Sequence, residues 1–356
     1  MGTNARAGRL MSEKTPIVAV VGAGAVGAPV ATFLTKAGVP VQVAVKRPEI
    51  RRAVEERGLV VQGVRGRHVA RFRAVEAIED LEGYLDVAFL AVKTFDTLDA
   101  ARRLKAKLSE DGVVVTLQNG ITVDEVSSAL GTGRVLGCVV EWGSTMIEPG
   151  HVEVTSKGRF MLGEVDGTLT SRLHLVKELL AHTYPVELVE DIRGALYSKL
   201  IVNSCITTSG AVTGLTLGKI LADKQARLLF LAVVTEGVRV ARSAKVRLYT
   251  VANGRLRPET FSLDTSSGMA SGFDLWKKHA LLRLVGLKYR RLKSSMLQSL
   301  ERGGRTEVDA INGTIVAWGK KHGVATPVNE ALVRMVHEIE AGSRKSSRRN
   351  LDEIPL

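Results

Sequence analysis

Lys199, Asn203 and Thr207 stand four residues apart in "YSKLIVNSCITTSG", a stretch otherwise made of apolar and small residues. On a helix that spacing stacks an ammonium, an amide and a hydroxyl on one face. A charge in a segment so suited to burial is costly unless paired. The pattern therefore predicts a structural ion pair, a lysine snorkelling from a domain junction to solvent, or a lysine with chemistry to perform. A polar stripe of lysine, amide and hydroxyl on an apolar helix would line a polar cleft.

Far upstream, Gly22-Ala23-Gly24-Ala25-Val26-Gly27 forms a G-x-G-x-x-G directly after the apolar run "PIVAVV". Gly22 permits a tight turn, Gly24 lets a pyrophosphate approach the backbone, and Gly27 lets the next helix pack closely on the strand. The helix N-terminus then faces the anion, which predicts a dinucleotide site. About 20 residues on, where an NAD site usually carries Asp or Glu, the chain has Lys46 and Arg47. Two cations without a carboxylate suit a 2′-phosphate and predict NADPH, against the plainer reading of a solvated basic strand end. Lys93 in "FLAVKTFDT" and Asn119 in "TLQNGI" each follow an apolar strand, at the carboxyl ends where parallel sheets bind ligands. Near the other end, "SSMLQSLERGGRTEVDAING" offers Ser294, Ser295, Glu307 and Asn312. Glu307 is placed to pair with the lysine or to complement a helix dipole.

These residues need elements to position them. Strand-like runs at Val41 to Val45, Val87 to Val92, Val113 to Leu117 and Val135 to Val140 alternate with helical segments. The expected fold is α/β, an N-terminal Rossmann-type doubly wound parallel sheet followed by an all-helical C-terminal domain. The expected division is a disordered polar tail over 1–15, with Met11 an alternative start, and a dinucleotide domain over 16–190. A helical substrate and dimerisation domain follows over 191–341, and a flexible basic tail over 342–356. Helices are expected at 192–209, 216–244, 268–302, 305–323 and 327–341, with an insertion near 245–292 that opens on a Gly-, Ser- and Thr-rich loop. In it, "LWKKHALLRLVGLKYRRLK" reads as a basic amphipathic helix whose packed apolar face carries Leu281, Leu284, Val285 and Leu292. Contact with an acidic partner or a membrane surface is the alternative.

With 356 residues and 45% hydrophobic content, the chain has material for two cores. No apolar run approaches the roughly 20 residues of a membrane span, and the start lacks a secretory apolar core, so a cytoplasmic location is expected. Cys138 and Cys205 form neither a disulfide framework nor a metal motif, and both read as buried small hydrophobes. The net charge of +13 is concentrated in the tails and in Lys277 to Lys293. Only 4% of residues are aromatic, and no basic-aromatic interleaving marks a base-stacking surface, which argues against nucleic acid.

Taken as ordered blocks, "VVGAGAVGAPVATFLTKAG", "VKTFDT", "LQNGI", "YSKLIVNSCITT", "SSMLQSL" and "TEVDAINGTIVAWGKKHGVATPVNEAL" resemble the ketopantoate reductases, from about Ile17 to Ile339. The resemblance implies NADPH-dependent reduction of 2-dehydropantoate to (R)-pantoate, a step of pantothenate and coenzyme A synthesis. Lys199 falls on that family's catalytic lysine, the proton donor. Asn203 and Ser295 match substrate-binding positions, Asn119 matches the asparagine where nicotinamide and substrate meet, and Lys93 matches a cofactor contact. Glu307 matches the glutamate near lysine and cofactor, where it would hold the ammonium, and Lys46 falls on the 2′-phosphate-binding position. No metal is implied, because the lysine supplies the electrophile. Thr207 and Leu217 replace asparagines and Ser299 replaces an aspartate, which implies an altered pocket. A relative acting on another branched 2-oxo acid or an opine-type imine is therefore a second expectation. A non-catalytic NADPH-binding regulator is the third, disfavoured because a binding module has no need of Lys199, Asn203, Ser295 and Glu307 together. A homodimer is compatible with the long helices.

Overall fold

In β1 (Val18–Val21) all four residues are buried, as in a strand covered on both faces. The computed structural model describes residues 15–265 and 268–356, so the expected disordered N-terminal tail lies, except for Thr15, outside the described residues. After β1 come α1 (Gly27–Lys36), β2 (Val41–Ala44), α2 (Pro48–Arg57), β3 (Leu59–Gly63), β4 (His68–Ala70), β5 (Arg73–Val75) and β6 (Leu85–Leu90). They are followed by α3 (Thr97–Leu104), β7 (Leu108–Thr116), α4 (Val123–Leu130), β8 (Val135–Val140), β9 (Ser144–Glu148), β10 (His151–Val154), β11 (Phe160–Glu164), α5 (Ser171–Ala181) and β12 (Val186–Leu188).

The main sheet runs β12-β11-β8-β7-β6-β1-β2-β5, parallel throughout except where β11 pairs antiparallel with β8. β1 pairs with β2 on one side and β6 on the other, Val20 facing Val43 and Phe89. That reversal of strand order is the switch point at which such sheets bind ligands. Hence the fold is Rossmann-like, as expected. The sequence reading did not foresee a second sheet, β4-β3-β10-β9. Its strands are short and half-exposed, and β10, which lies in the chain between β8 and β11 of the main sheet, pairs in parallel with the distant β3, a long-range pairing without a local signature.

From Ile192 onward helices dominate: α6 (Ile192–Thr213), α7 (Leu217–Ala222), α8 (Lys224–Ser243), α9 (Gly272–Lys288), α10 (Ser295–Glu301), α11 (Val308–His322) and α12 (Pro327–Glu340). α6 is the central one. Asp191 caps its start, Oδ1 accepting from Gly194 N at 2.9 Å, and Gly214 ends it in the left-handed region at φ 71°. Buried on most sides, it packs its Tyr197 ring on Trp318 of α11, centroids 4.9 Å apart.

Two expected helices are each broken into a pair. Asp223 adopts an extended conformation and caps α8 through Ala226 N, and Ser294 caps α10 through Leu297 N, so each residue bonds the next helix's first turn instead of continuing the last. The C-terminal tail is packed rather than flexible. Leu351 and Ile354 are buried against the helical core, Asn350 Nδ2 donates to Val212 O at 2.9 Å, and Arg344 bridges Glu338 and Glu353. The basic composition concealed two apolar anchors three residues apart. α9 also lies differently from expectation. It packs through Leu275, Leu282, Val285 and Gly286, while Leu281, Leu284 and Leu292 are exposed. The close crossing with α7 sets that rotation, since a Cβ on Gly286 would stand 2.8 Å from Leu221 Cβ.

Candidate active site

The glycine loop has the geometry its spacing predicts. Gly22 takes φ 103°, and a Cβ there would lie 2.8 Å from Ala91 O; a Cβ on Gly27 would overlap the Gly22 carbonyl oxygen. Gly24 alone faces open space, with nothing within 4 Å of an added Cβ. α1 has no acidic residue in its first turn and no side-chain cap, so its leading N–H groups are left for an anion. The cradle therefore fits a dinucleotide pyrophosphate. Ala23, Ala25 and Val26 complete the loop, and Ser144 Oγ fixes it by donating to Ala25 O at 2.5 Å. Lys46 and Arg47 leave β2 exposed, Lys46 Nζ 3.2 Å from Asp96 Oδ1 and Arg47 Nε 2.6 Å from Glu49 Oε1. Such exposed pairs are worth about 0–1 kcal/mol, so an incoming phosphate can compete for both cations.

Lys199, Asn203 and Asn119 converge. Asn119 follows β7, and its Oδ1 accepts from Lys199 Nζ at 2.8 Å and from Asn203 Nδ2 at 3.2 Å. Two glycines allow the convergence. An added Cβ on Gly137 of β8 would stand 2.5 Å from Ile192 Cγ1 of α6, and one on Gly120, at φ 85°, 2.8 Å from Ala310 O of α11. The helix carrying the lysine and the loop carrying the amide are thus pressed against their neighbours.

Lys199 keeps part of its surface open to solvent, yet burial lowers its pKa to about 8, against the opposing pull of Glu141 first and Glu307 later. Its neighbour Cys138 is held far above the usual thiol range by burial, so it stays neutral. Near neutrality Lys199 is a protonated acid that gives up its proton more readily than an ordinary lysine.

Glu307 departs from expectation. Its side chain, 8% exposed, accepts from Lys93 Nζ at 2.7 Å and from the Thr94 backbone N–H at 3.1 Å, and it makes no hydrogen bond to Lys199. It stands one residue before α11, where the loop after β6 meets the helical region, so the nearer ammonium of Lys93 takes it. Thr207 is buried, and its hydroxyl donates to Asn203 O at 2.7 Å within its own helix. Ser295 is exposed at the start of α10, whereas Ser294 fastens that helix to α6 by donating to Thr207 O at 3.0 Å. Leu217 is buried at the start of α7.

Sequence reasoning missed Glu141. Its side chain, 2% exposed, follows β8; Oε2 accepts from Arg159 Nε at 2.7 Å and from Asn253 N at 3.0 Å, and Oε1 is buried without a partner. Arg159 also donates to Thr250 O at 3.1 Å and pairs with Glu187. The signal was a glutamate directly after the apolar run "VLGCVV".

A phosphate-ready glycine loop at the switch point and a lysine–amide cluster at the neighbouring strand ends define an oxidoreductase of the Rossmann class. Two family models match the chain, "Ketopantoate reductase PanE/ApbA" over residues 18–167 and "Ketopantoate reductase PanE/ApbA C terminal" over 191–340. It is 30% identical to a 2-dehydropantoate 2-reductase of Pyrobaculum aerophilum, over 90% of this chain and 97% of that one. With the same enzyme of Aquifex aeolicus it shares 26%, over 92% and 98%. The solved PanE/ApbA family ketopantoate reductase of Ralstonia eutropha JMP134 superposes with a TM-score of 0.76 at 28% identity, over 92% and 99%. A D-mandelate dehydrogenase shares the fold equally well, TM-score 0.76, at 22% identity, over 91% and 98%. The chain belongs to the ketopantoate reductase family. No helix among the described residues is long and apolar enough to cross a membrane.

Proposed function

We propose that the chain reduces 2-dehydropantoate to (R)-pantoate with NADPH, serving pantothenate and coenzyme A synthesis, with Lys199 as the proton donor. The observation that carries the reading is the shared acceptor Asn119 Oδ1, which aims the Lys199 ammonium and the Asn203 amide at one point beside the sheet's switch point. When bound, the nicotinamide supplies a hydride to the carbonyl carbon. Gly22, Gly24 and Gly27 would hold the pyrophosphate, Lys46 and Arg47 the 2′-phosphate, and Lys93 a further part of the cofactor. Lys199 hydrogen-bonds the carbonyl oxygen, stabilises charge as it develops there, and protonates it, the lowered pKa easing that transfer. Asn203 and Ser295 anchor the substrate, and Asn119 holds the ammonium in line between turnovers. Glu307 acts through Lys93, fixing the loop after β6 and adding negative field to the cleft.

One observation favours a second substrate. The Thr207 hydroxyl is spent on its own helix, and Leu217 is apolar, so neither offers the amide donors expected for ketopantoate. A different branched 2-oxo acid or an opine-type imine would need fewer donors there. Steady-state NADPH oxidation over a panel of 2-oxo acids, aryl and branched, and of 2-oxo acid plus amine pairs tests both. A clear preference for ketopantoate in kcat/KM is expected, preference for another substrate replaces it, and no turnover on any removes the catalytic reading.

The reading extends to a homodimer in the cytoplasm. Phe273, Trp276 and Leu284 line one side of α9 and are 62–67% exposed, a run of large apolar side chains that a partner would cover. Sedimentation velocity is expected to give a dimer, with Leu284→Glu monomeric. Cys138 and Cys205, both free and buried, suit a reducing compartment.

A further inference from the structure

α7 and α9 cross closely because each contributes a glycine. A Cβ on Gly218 would stand 2.5 Å from Arg290 Cα, just as one on Gly286 would crowd Leu221. Beside the crossing lies a cavity of about 640 Å³, within the range of small-molecule sites. Leu221, Ala222 and Leu287 give it apolar walls, and Lys219, Arg283, Arg290 and Arg291 surround them. No carboxylate lines it. Among the described residues none of the four cations has an ion-pair or hydrogen-bond partner.

Three other arginines of the helical region are paired, Arg239 with Asp264, Arg344 with Glu338 and Glu353, and Arg348 with Asp223 and Asp352, whereas here four cations share one concavity without an acid. Four unneutralised cations around one concavity repel one another. Sequences tend to relieve that repulsion with an acid unless an anion from outside does so.

A fifth cation stands behind the wall. Arg227 is 7% exposed, yet among the described residues it forms no ion pair: Nη1 donates to Leu221 O and Ala222 O, both at 2.8 Å, and Nε donates to His279 Nδ1 at 3.1 Å. The two carbonyls belong to residues that line the cavity, so a buried guanidinium is bonded to the backbone of its floor. Burial and then the Arg283 charge hold Arg227 below the usual arginine range, and burial, Arg227 and Lys224 hold His279 low and neutral. Both shifts register burial and the positive field of neighbouring cations, which Asp223 offsets only in part at Arg227.

Guanidinium groups match phosphate by forked hydrogen bonding, and three of the four facing side chains are arginines. The apolar walls accept carbon rather than more charge. We propose that the cavity between α7 and α9 binds a small organic polyphosphate, its phosphoryl groups held by Arg283, Arg290, Arg291 and Lys219 and its carbon body lying against Leu221 and Leu287. The site shares no residue with the cleft of Lys199, so it stands or falls apart from the assigned reaction.

Calorimetric titration of the full chain tests this, with NADPH saturating the glycine loop and KCl at about 150 mM to screen diffuse attraction. Inorganic tripolyphosphate is the first titrant, and sedimentation velocity checks that each variant keeps the wild-type assembly. Wild type is expected to bind it, Arg283→Ala/Arg290→Ala to bind at least about tenfold more weakly, and Lys46→Ala/Arg47→Ala to bind within about twofold of wild type. Arg283→Lys/Arg290→Lys, which keeps the charge and loses the fork, is expected to fall between. No binding by wild type at millimolar titrant overturns the site, as does equal affinity in the arginine variants or a loss confined to the Lys46/Arg47 variant. ADP is then compared with pyrophosphate. Tighter binding of ADP, abolished by Leu287→Asp, supports the organic body, and equal affinity removes that part of the proposal.

Discussion

Lys199 Nζ lies 2.8 Å from Asn119 Oδ1 across 80 residues of sequence, and Asn203 donates to the same oxygen. One amide oxygen therefore holds both donors of the α6 face, and a carbonyl oxygen of substrate would compete for the same two donors. The cleft is preset for an acceptor atom.

Replacing Lys199 separates chemistry from stability. Lys199→Met is expected to lower kcat with ketopantoate by about 10²- to 10⁴-fold, the usual range for a positioned acid, with NADPH affinity by fluorescence titration little changed. The lysine's pKa falls from 10.5 to about 8, so the unfolded chain binds more protons between those values. Its desolvation cost is fully present below pH 8 and is relieved as pH rises toward 10.5. At pH 7 the methionine variant should therefore have a Tm no lower than wild type, and a large fall in Tm would contradict the burial argument.

Activity should follow the protonated lysine. In pH-rate profiles kcat/KM is expected to decline as pH rises through about 8. Glu141 and Glu307 both favour the ammonium form, so Glu141→Gln and Glu307→Gln should each move that decline to lower pH, Glu141→Gln the further. A shift to higher pH would reverse the electrostatic assignment.

The loop glycines should fail differently. Gly27→Ala forces a methyl group onto the Gly22 carbonyl and is expected to lower Tm, with a cost of about 1–3 kcal/mol typical of overpacking. Gly24→Ala has room in the free protein, so its Tm should hold while NADPH affinity drops. Thermal melts with and without cofactor distinguish the two.

Cofactor preference should follow the end of β2. Lys46→Ala/Arg47→Ala is expected to raise KM for NADPH about tenfold or more while leaving KM for NADH nearly unchanged, since the 2′-phosphate is the only difference they read. Equal changes with both cofactors would place the phosphate elsewhere.

The parts of the molecule legible in sequence were those with a short repeat or a fixed spacing. Five of the eight strands of the main sheet announced themselves as apolar runs, while β5, β11 and β12 did not, and the Lys199–Asn203 face showed as a period of four. Glu307 was legible as an acid for a nearby ammonium but not as the partner of Lys93, because only the folded chain decides which of two ammonium groups is nearer. The second sheet left no local trace, and Glu141 looked like an ordinary strand end until Arg159 and Asn253 closed over it. The tail misled through its charge, since Leu351 and Ile354 anchor it while Arg344, Arg348, Asp352 and Glu353, four of its six charged residues, pair among themselves or with the helical region.

Glu141 is held from two directions, by Arg159 just before β11 and by the Asn253 backbone of the loop between α8 and α9, and Arg159 grips that same loop at Thr250. For anyone trimming the enzyme, this surface loop is not spare length. Shortening it would strip a donor from the carboxylate that most strongly supports the Lys199 ammonium, so a deletion chosen for robustness would be felt first as an altered pH optimum.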